Sequence, residues 1–454
     1  MNKRVTEEFI LLINVAKWLV LATGVGLLVG LSTTFFLKAL QMMIAETTRI
    51  PYSLFLLPIG LSVSAWITSS LAPEAGGQGV ERVIQAVHLR SGRIKAQVIP
   101  AKLIATLLTI GTGGSAGNVG PCAQIGGAVA SWAAEIFRFS DDDRKTLVIC
   151  GISAGFASVL GTPIAGAFFG VEALFVGALA YQVLLPSVIA AVVGHQVTLF
   201  FGISFWTSSV EVSVLFSSPL LLWSILAGVC FGLCALVLIE GINLGKRIAF
   251  LSHFPPPLLA FLGGLAILGI ASLSSLSALG LGDRVIQEAV AGQSVLWYVF
   301  MLKIILTSMT LNFGGSGGVI LPICFVGATA GSVFGNLFAL DSGVFAALGI
   351  AGLLAGAVNT PITAVLLSLE VFGVQIGACA MVCCAISFLI SGHRSAIPTQ
   401  LLQLHKAPGI HADLNQEVSE TQFFVDAWEV RVKIVREKIK NRLIIMTKRS
   451  KPKP

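Results

Sequence analysis

Residues 113–126 read GGSAGNVGPCAQIG, and residues 314–327 read GGSGGVILPICFVG. Aligned without gaps, they share Gly113/Gly314, Gly114/Gly315, Ser115/Ser316, Gly117/Gly318, Pro121/Pro322 and Gly126/Gly327, at an offset of 201. In each, a Gly/Ser run leads to a proline and then to an apolar stretch of helical length. Proline suits the first helical turn, where its missing N–H has no partner to lose. Glycine-rich backbone lets several N–H groups converge on one point. The spacing predicts a helix starting inside apolar surroundings, with free amides and a positive dipole end offered to an anion. A nucleotide-binding P-loop needs Gly-Lys-Ser/Thr after its glycines, and neither stretch has it. Close helix packing is the ordinary use of such glycines, and it does not account for the pairing of the two runs.

A second match follows at an offset of 198. Gly151-Ile152 pairs with Gly349-Ile350, and Thr162-Pro163-Ile164 with Thr360-Pro361-Ile362. Thr-Pro reads as an N-cap followed by proline at the first helical position. Eight residues past each isoleucine stands a glutamate, Glu172 or Glu370. Their matched positions favour hydrogen bonding at equivalent helix ends; a proton route through Glu172 is the competing use. Two matches in one order imply a duplication, with halves at 1–205 and 212–400. Glycine-broken segments in corresponding halves of a membrane protein point to a transport site. The halves are inverted if each holds an odd number of spans.

The elements positioning these residues are membrane helices. Of 454 residues, 55% are apolar and 11% charged, with mean hydropathy +0.90. A soluble domain carries about 25% charged residues. Ten windows lack Lys, Arg, Asp and Glu: 18–37, 50–73, 103–134, 146–171, 173–210, 212–239, 248–282, 304–340, 342–369 and 371–393. Each is long enough to cross a bilayer. Buried backbone must bond internally, so helices are required, and the alternation of an outer-membrane barrel is absent. The net charge of +7 resolves into a +9 segment, Arg431–Pro454, and a body with 19 basic and 21 acidic residues. Basic residues in 82–95 and in the tail place both on the cytoplasmic side. The N-terminus, without a cleavage pattern, reads as a retained cytoplasmic segment. The eight cysteines have no zinc or redox spacing, and the six scattered histidines give a metal site no support.

The chain resembles the CLC family of chloride channels and chloride/proton antiporters over about residues 60–400. Gly77-Gln78-Gly79-Val80-Glu81 stands where that family has Gly-Ser-Gly-Ile-Pro. Gly117-Asn118-Val119-Gly120-Pro121 stands for Gly-Lys/Arg-Glu-Gly-Pro, and Gly318-Val319-Ile320-Leu321-Pro322 for Gly-x-Phe-x-Pro. His393-Arg394-Ser395-Ala396-Ile397 resembles the stretch that ends in the family's anion-coordinating tyrosine. The resemblance implies an all-α polytopic protein of two inverted halves built from tilted and broken helices. It implies a homodimer with one pore per subunit. The amides of Val119, Gly120, Val319 and Ile320 would line the anion site, with Gln78 donating through its side-chain amide. Ile397 could not replace the tyrosine hydroxyl. Val119 replaces the glutamate that serves as gate and proton carrier, and Ala173 the internal proton-relay glutamate. With both gone, the expected activity is passive anion conduction, chiefly of chloride, with chloride/proton exchange through substitute groups such as Glu172 as the alternative. Chloride is the only ligand implied, no cofactor is, and the chain is not expected to be an enzyme. The expected location is the cell membrane, with both termini cytoplasmic.

Two other classes compete. An intramembrane aspartyl protease is raised by Gly280-Leu281-Gly282-Asp283, but no second aspartate occurs between Arg144 and Gly282. That stretch reads better as a helix end in a connection. A transport-dead scaffold is the other, since side-chain donors are lost. Residues 405–454 form a short basic tail, too short for paired CBS domains. Phe424, Trp428, Val432, Val435, Ile439, Leu443 and Met446 recur at helical spacing. The tail could lie on anionic lipid.

Overall fold

The computed structural model describes residues 3–205, 218–407, 410–421 and 423–425. Its first half runs α1 (Lys3–Arg49), α2 (Leu57–Ser70), α3 (Val80–Leu89), α4 (Val98–Gly111), α5 (Val119–Ile136), α6 (Asp141–Leu160), α7 (Pro163–Glu172) and α8 (Leu184–Phe200). The second runs α9 (Ser218–Leu251), α10 (Pro256–Leu273), α11 (Asp283–Val290), α12 (Val299–Asn312), α13 (Ile320–Leu337), α14 (Ser342–Val358), α15 (Pro361–Phe372) and α16 (Gly377–Ile390). The halves correspond helix for helix. Helices α4 and α12 have 14 residues each, and α5 and α13 have 18 each.

The uncharged windows do not each make one span. Among the described residues six helical segments are long and apolar enough to cross a membrane. The windows 103–134, 304–340 and 342–369 each hold parts of two helices, split at the glycine loops or at Thr360-Pro361. Gly113 and Gly314 turn the chain at φ of 105° and 119°, a region side chains rarely adopt.

The duplicated glycines also bring the helices together. A Cβ on Gly126 would lie 2.4 Å from the Gly151 carbonyl oxygen, and one on Gly327 would lie 2.4 Å from that of Gly349. The same backbone contact therefore locks α5 to α6 and α13 to α14, as small residues do in membrane packing. One continuous apolar core runs through both halves.

Beyond α16 the chain returns to the body. Strand β1 (Phe175–Val176) pairs in parallel with β2 (Leu401–Leu402), and β3 (Ile410–Ala412) pairs antiparallel with β4 (Phe423–Val425). Phe424 lies in β4; the rest of the expected amphipathic tail helix falls outside the described residues.

Candidate anion site

The two glycine loops meet. The Gly117 amide donates to the Gly318 carbonyl at 2.8 Å, and the Gly318 amide donates to the Gly117 carbonyl at 2.7 Å, forming an antiparallel bridge. Helices α5 and α13 start directly after it, with Asn118 and Val319 as N-caps and no side-chain cap at either. Val119 and Ile320 are buried at these two starts. First-turn amides have no acceptor within their own helix, so Val119, Gly120 and Ile320 present N–H groups from facing halves.

The loop at 77–79 closes on the same point. A Cβ on Gly120 would lie 2.2 Å from the Gln78 carbonyl oxygen, and one on Gly79 would lie 2.5 Å from that of Gly120. Gln78 is buried there, and its Oε1 has no hydrogen-bond partner among the described residues. Lys102, fully buried, holds the loop from behind: its Nζ donates to the carbonyls of Ala75 at 3.1 Å and Gly77 at 2.7 Å.

Hydroxyls from each half brace the loop of the other. The Ser316 amide donates to Thr109 Oγ1 at 2.9 Å, and the Ser115 amide to Thr310 Oγ1 at 3.2 Å. Thr106 and Thr307 share hydrogen bonds of 3.0 Å with Ser316 and Ser115. Lys102/Lys303, Thr106/Thr307 and Thr109/Thr310 all keep the offset of 201. The duplication therefore reaches further along α4 and α12 than the glycine motifs alone reveal.

That extension reassigns the stretch 280–283. Lys303 Nζ donates to the carbonyls of Ala278 at 3.1 Å and Gly280 at 2.8 Å, as Lys102 does to Ala75 and Gly77. Gly280-Leu281-Gly282 is the second-half counterpart of Gly77-Gln78-Gly79. It lies in the connection after α10, as expected, and forms the end from which α11 starts, with Gly282 as N-cap.

The starts of α7 and α15 are treated differently. Thr162 and Thr360 are the N-caps, but neither makes a side-chain cap and both Oγ1 atoms lack partners among the described residues. The sequence assigned the caps to these threonines; the caps are glutamates from the opposite half. Glu172 accepts from the amides of Ile362 at 3.0 Å and Thr363 at 2.8 Å, and from the Thr363 hydroxyl at 2.6 Å. Glu370 accepts from the amides of Ile164 and Ala165, both at 2.8 Å. Two helix starts are sealed by carboxylates, and the pair at Val119 and Ile320 stays open.

Gln400 Nε2 donates to the carbonyls of Ala173 at 3.0 Å and Val358 at 2.9 Å. Ile397 is fully buried, its amide donating to Ser395 Oγ at 3.0 Å. The Thr399 hydroxyl ties this segment to α3 through the Glu81 carbonyl at 3.0 Å.

Opposed, uncapped helix starts joined across a duplicated helical membrane body define a class of protein, the polytopic anion transporters. The family model described as "Voltage gated chloride channel" matches residues 59–392. The chain belongs to this family, the CLC family of anion channels and transporters. It is 34% identical over 400 residues, 85% of this chain and 87% of the relative, to the "Chloride/fluoride channel protein" of Pseudomonas syringae pv. tomato. It is 31% identical over 383 residues, 78% of this chain and 81% of the relative, to the "H(+)/Cl(-) exchange transporter ClcA" of Cronobacter sakazakii. Its fold is similar to that of a solved CLC-type fluoride/proton antiporter, with a TM-score of 0.80 and 29% identity, covering 86% of this chain and 98% of the other.

Proposed function

We propose that this protein carries small halide ions across the membrane through the uncapped starts of α5 and α13, in exchange for protons. The observation carrying the anion part is the Gly117–Gly318 bridge, which holds two open helix starts side by side without a carboxylate to fill them. Neutral amides hold an anion loosely enough to release it. Exchange is supported by the relatives, one named as a proton/chloride exchanger and one a fluoride/proton antiporter. Chloride and fluoride both stand in the relatives' names, and both are candidates here.

Uncoupled conduction is the second reading, favoured by Val119, which can bind no proton where the family's glutamate does. Glu172 is a poor substitute carrier, because its carboxylate is committed to three hydrogen bonds at the start of α15. Likeness to the family supports a homodimer with one pathway per subunit, in the bacterial cell membrane with both termini cytoplasmic.

Purified protein in liposomes, with halide and proton fluxes recorded together, separates the readings. Uphill proton movement driven by a chloride or fluoride gradient is the expected result. Halide flux without proton movement means conduction, and no halide flux removes both.

A further inference from the structure

Helix α11 begins with a carboxylate where its first-half counterpart α3 begins with Val80. The ordinary use of an aspartate there is to cap the helix, and Asp283 does not: the N-cap is Gly282 and no side chain caps the start. Asp283 Oδ1 is shielded from solvent and has no hydrogen-bond partner among the described residues. A buried carboxylate oxygen left unpaired is costly, and such groups usually have a task.

Its position supplies one. Asp283 lines a wide cavity of about 730 Å³, together with Thr47, Thr112, Leu276, Arg284 and Glu288. It also lines a small cavity of about 80 Å³ shared with Gln41, Ser204 and Asn118. Asn118 is the N-cap of α5, the residue before Val119, and its Oδ1 is likewise unpartnered. Asp283 thus stands between a wide cavity and the open helix starts.

Among the described residues, none of the charged groups around it hydrogen-bonds to its Oδ1, and Lys303 is the cation whose charge acts on it. On α11, Arg284 pairs with Glu288 at 2.8 Å. From α12 comes Lys303, whose Nζ is engaged by the carbonyls of Ala278 and Gly280. From α13 comes the buried Cys324 thiol. The segments of α1 and of residues 203–205 that line the small cavity contribute no titratable group.

We propose that Asp283 is the proton-binding carboxylate of the anion pathway, supplying from the second half what position 119 lacks. Ionised, it repels an anion approaching the amides of Val119 and Gly120. A proton taken from water in the wide cavity neutralises it, forming an O–H bond at a carboxylate oxygen, and admits the anion; the proton then returns to water. This rests on the anion-site reading of α5 and α13.

The test is halide and proton flux from liposomes containing the full-length protein, across neutral to mildly acidic pH. The wild type is expected to move halide faster as the pH falls. Asp283→Asn is expected to lose that pH dependence and any linked proton movement, while still passing halide. Asp283→Glu keeps the carboxylate and is expected to keep the pH dependence with a shifted midpoint, which holds the test open if the Asn variant does not fold. Wild-type pH dependence and proton movement surviving in Asp283→Asn, or pH dependence lost in Asp283→Glu, overturns this proposal alone. No halide flux from the wild type overturns the anion-site reading and this proposal with it.

Discussion

Glu172 and Glu370 exchange helix ends: each stands in the last turn of one short helix in its own half and caps the start of the equivalent helix in the other. Carboxylates at helix N-termini are favourable through charge-assisted bonds and the helix dipole. The exchange ties the halves together away from the glycine loops and uses up two helix starts that would otherwise also attract anions.

Removing these caps should destabilise without altering transport stoichiometry. A hydrogen bond to a charged group contributes about 1.5–3 kcal/mol. Glu172 is only 4% exposed and accepts three bonds, while Glu370 is less buried and accepts two. Glu172→Ala should therefore lower the melting temperature in detergent more than Glu370→Ala. Proton-to-halide ratios that change only in Glu172 variants would revive Glu172 as a proton carrier.

Restoring a carboxylate at Val119 should slow halide flux and steepen its fall as pH rises. An ionised side chain at the start of α5 competes with the anion for the same amides. The measurement is halide efflux from liposomes containing Val119→Glu; flux indifferent to the substitution would mean that position 119 does not border the pathway.

Lys102 should matter to binding through the loop it holds. Lys102→Met keeps the unbranched chain but for its last atom and removes the bonds to Ala75 and Gly77. The expected result is a loss of halide affinity of about tenfold, equivalent to ~1.4 kcal/mol, measured by calorimetric titration. Unchanged affinity would show that the loop needs no such anchor.

Adding one methyl group separates site glycines from incidental ones. An alanine Cβ at Gly120 would meet the Gln78 carbonyl oxygen at 2.2 Å and Gly318 Cα at 2.8 Å. Such overpacking costs about 1–3 kcal/mol or more, and Gly120→Ala should abolish flux or folding. Gly24 has nothing within 4 Å of the same added atom, so Gly24→Ala should be neutral or stabilising by up to ~1 kcal/mol. Stability and flux of the two variants side by side make the check.

Much of this protein was legible in the chain. Gly-rich runs before Pro121 and Pro322 specify helix starts because glycine frees the backbone and proline fits the first turn, both local effects. Their repetition at one spacing marks the duplication. The helical membrane body follows from composition, since backbone in an apolar medium must bond internally. Boundaries were less legible: an uncharged window such as 304–340 shows no seam between α12 and α13, because hydropathy does not register a break lined with protein.

By itself, then, the sequence determined where helices start with amides that have no acceptor in their own helix. Which of those ends remain open was decided by tertiary structure. Thr162 and Thr360 carry the local signature of caps, yet the caps come from Glu370 and Glu172, 206 and 190 residues from the amides of Ile164 and Ile362 that they bind. The meeting of Asp283 and Asn118 at one cavity is of the same kind. Neither is encoded in neighbouring residues, because both depend on how two folded halves pack, which sets the distance between groups far apart along the chain.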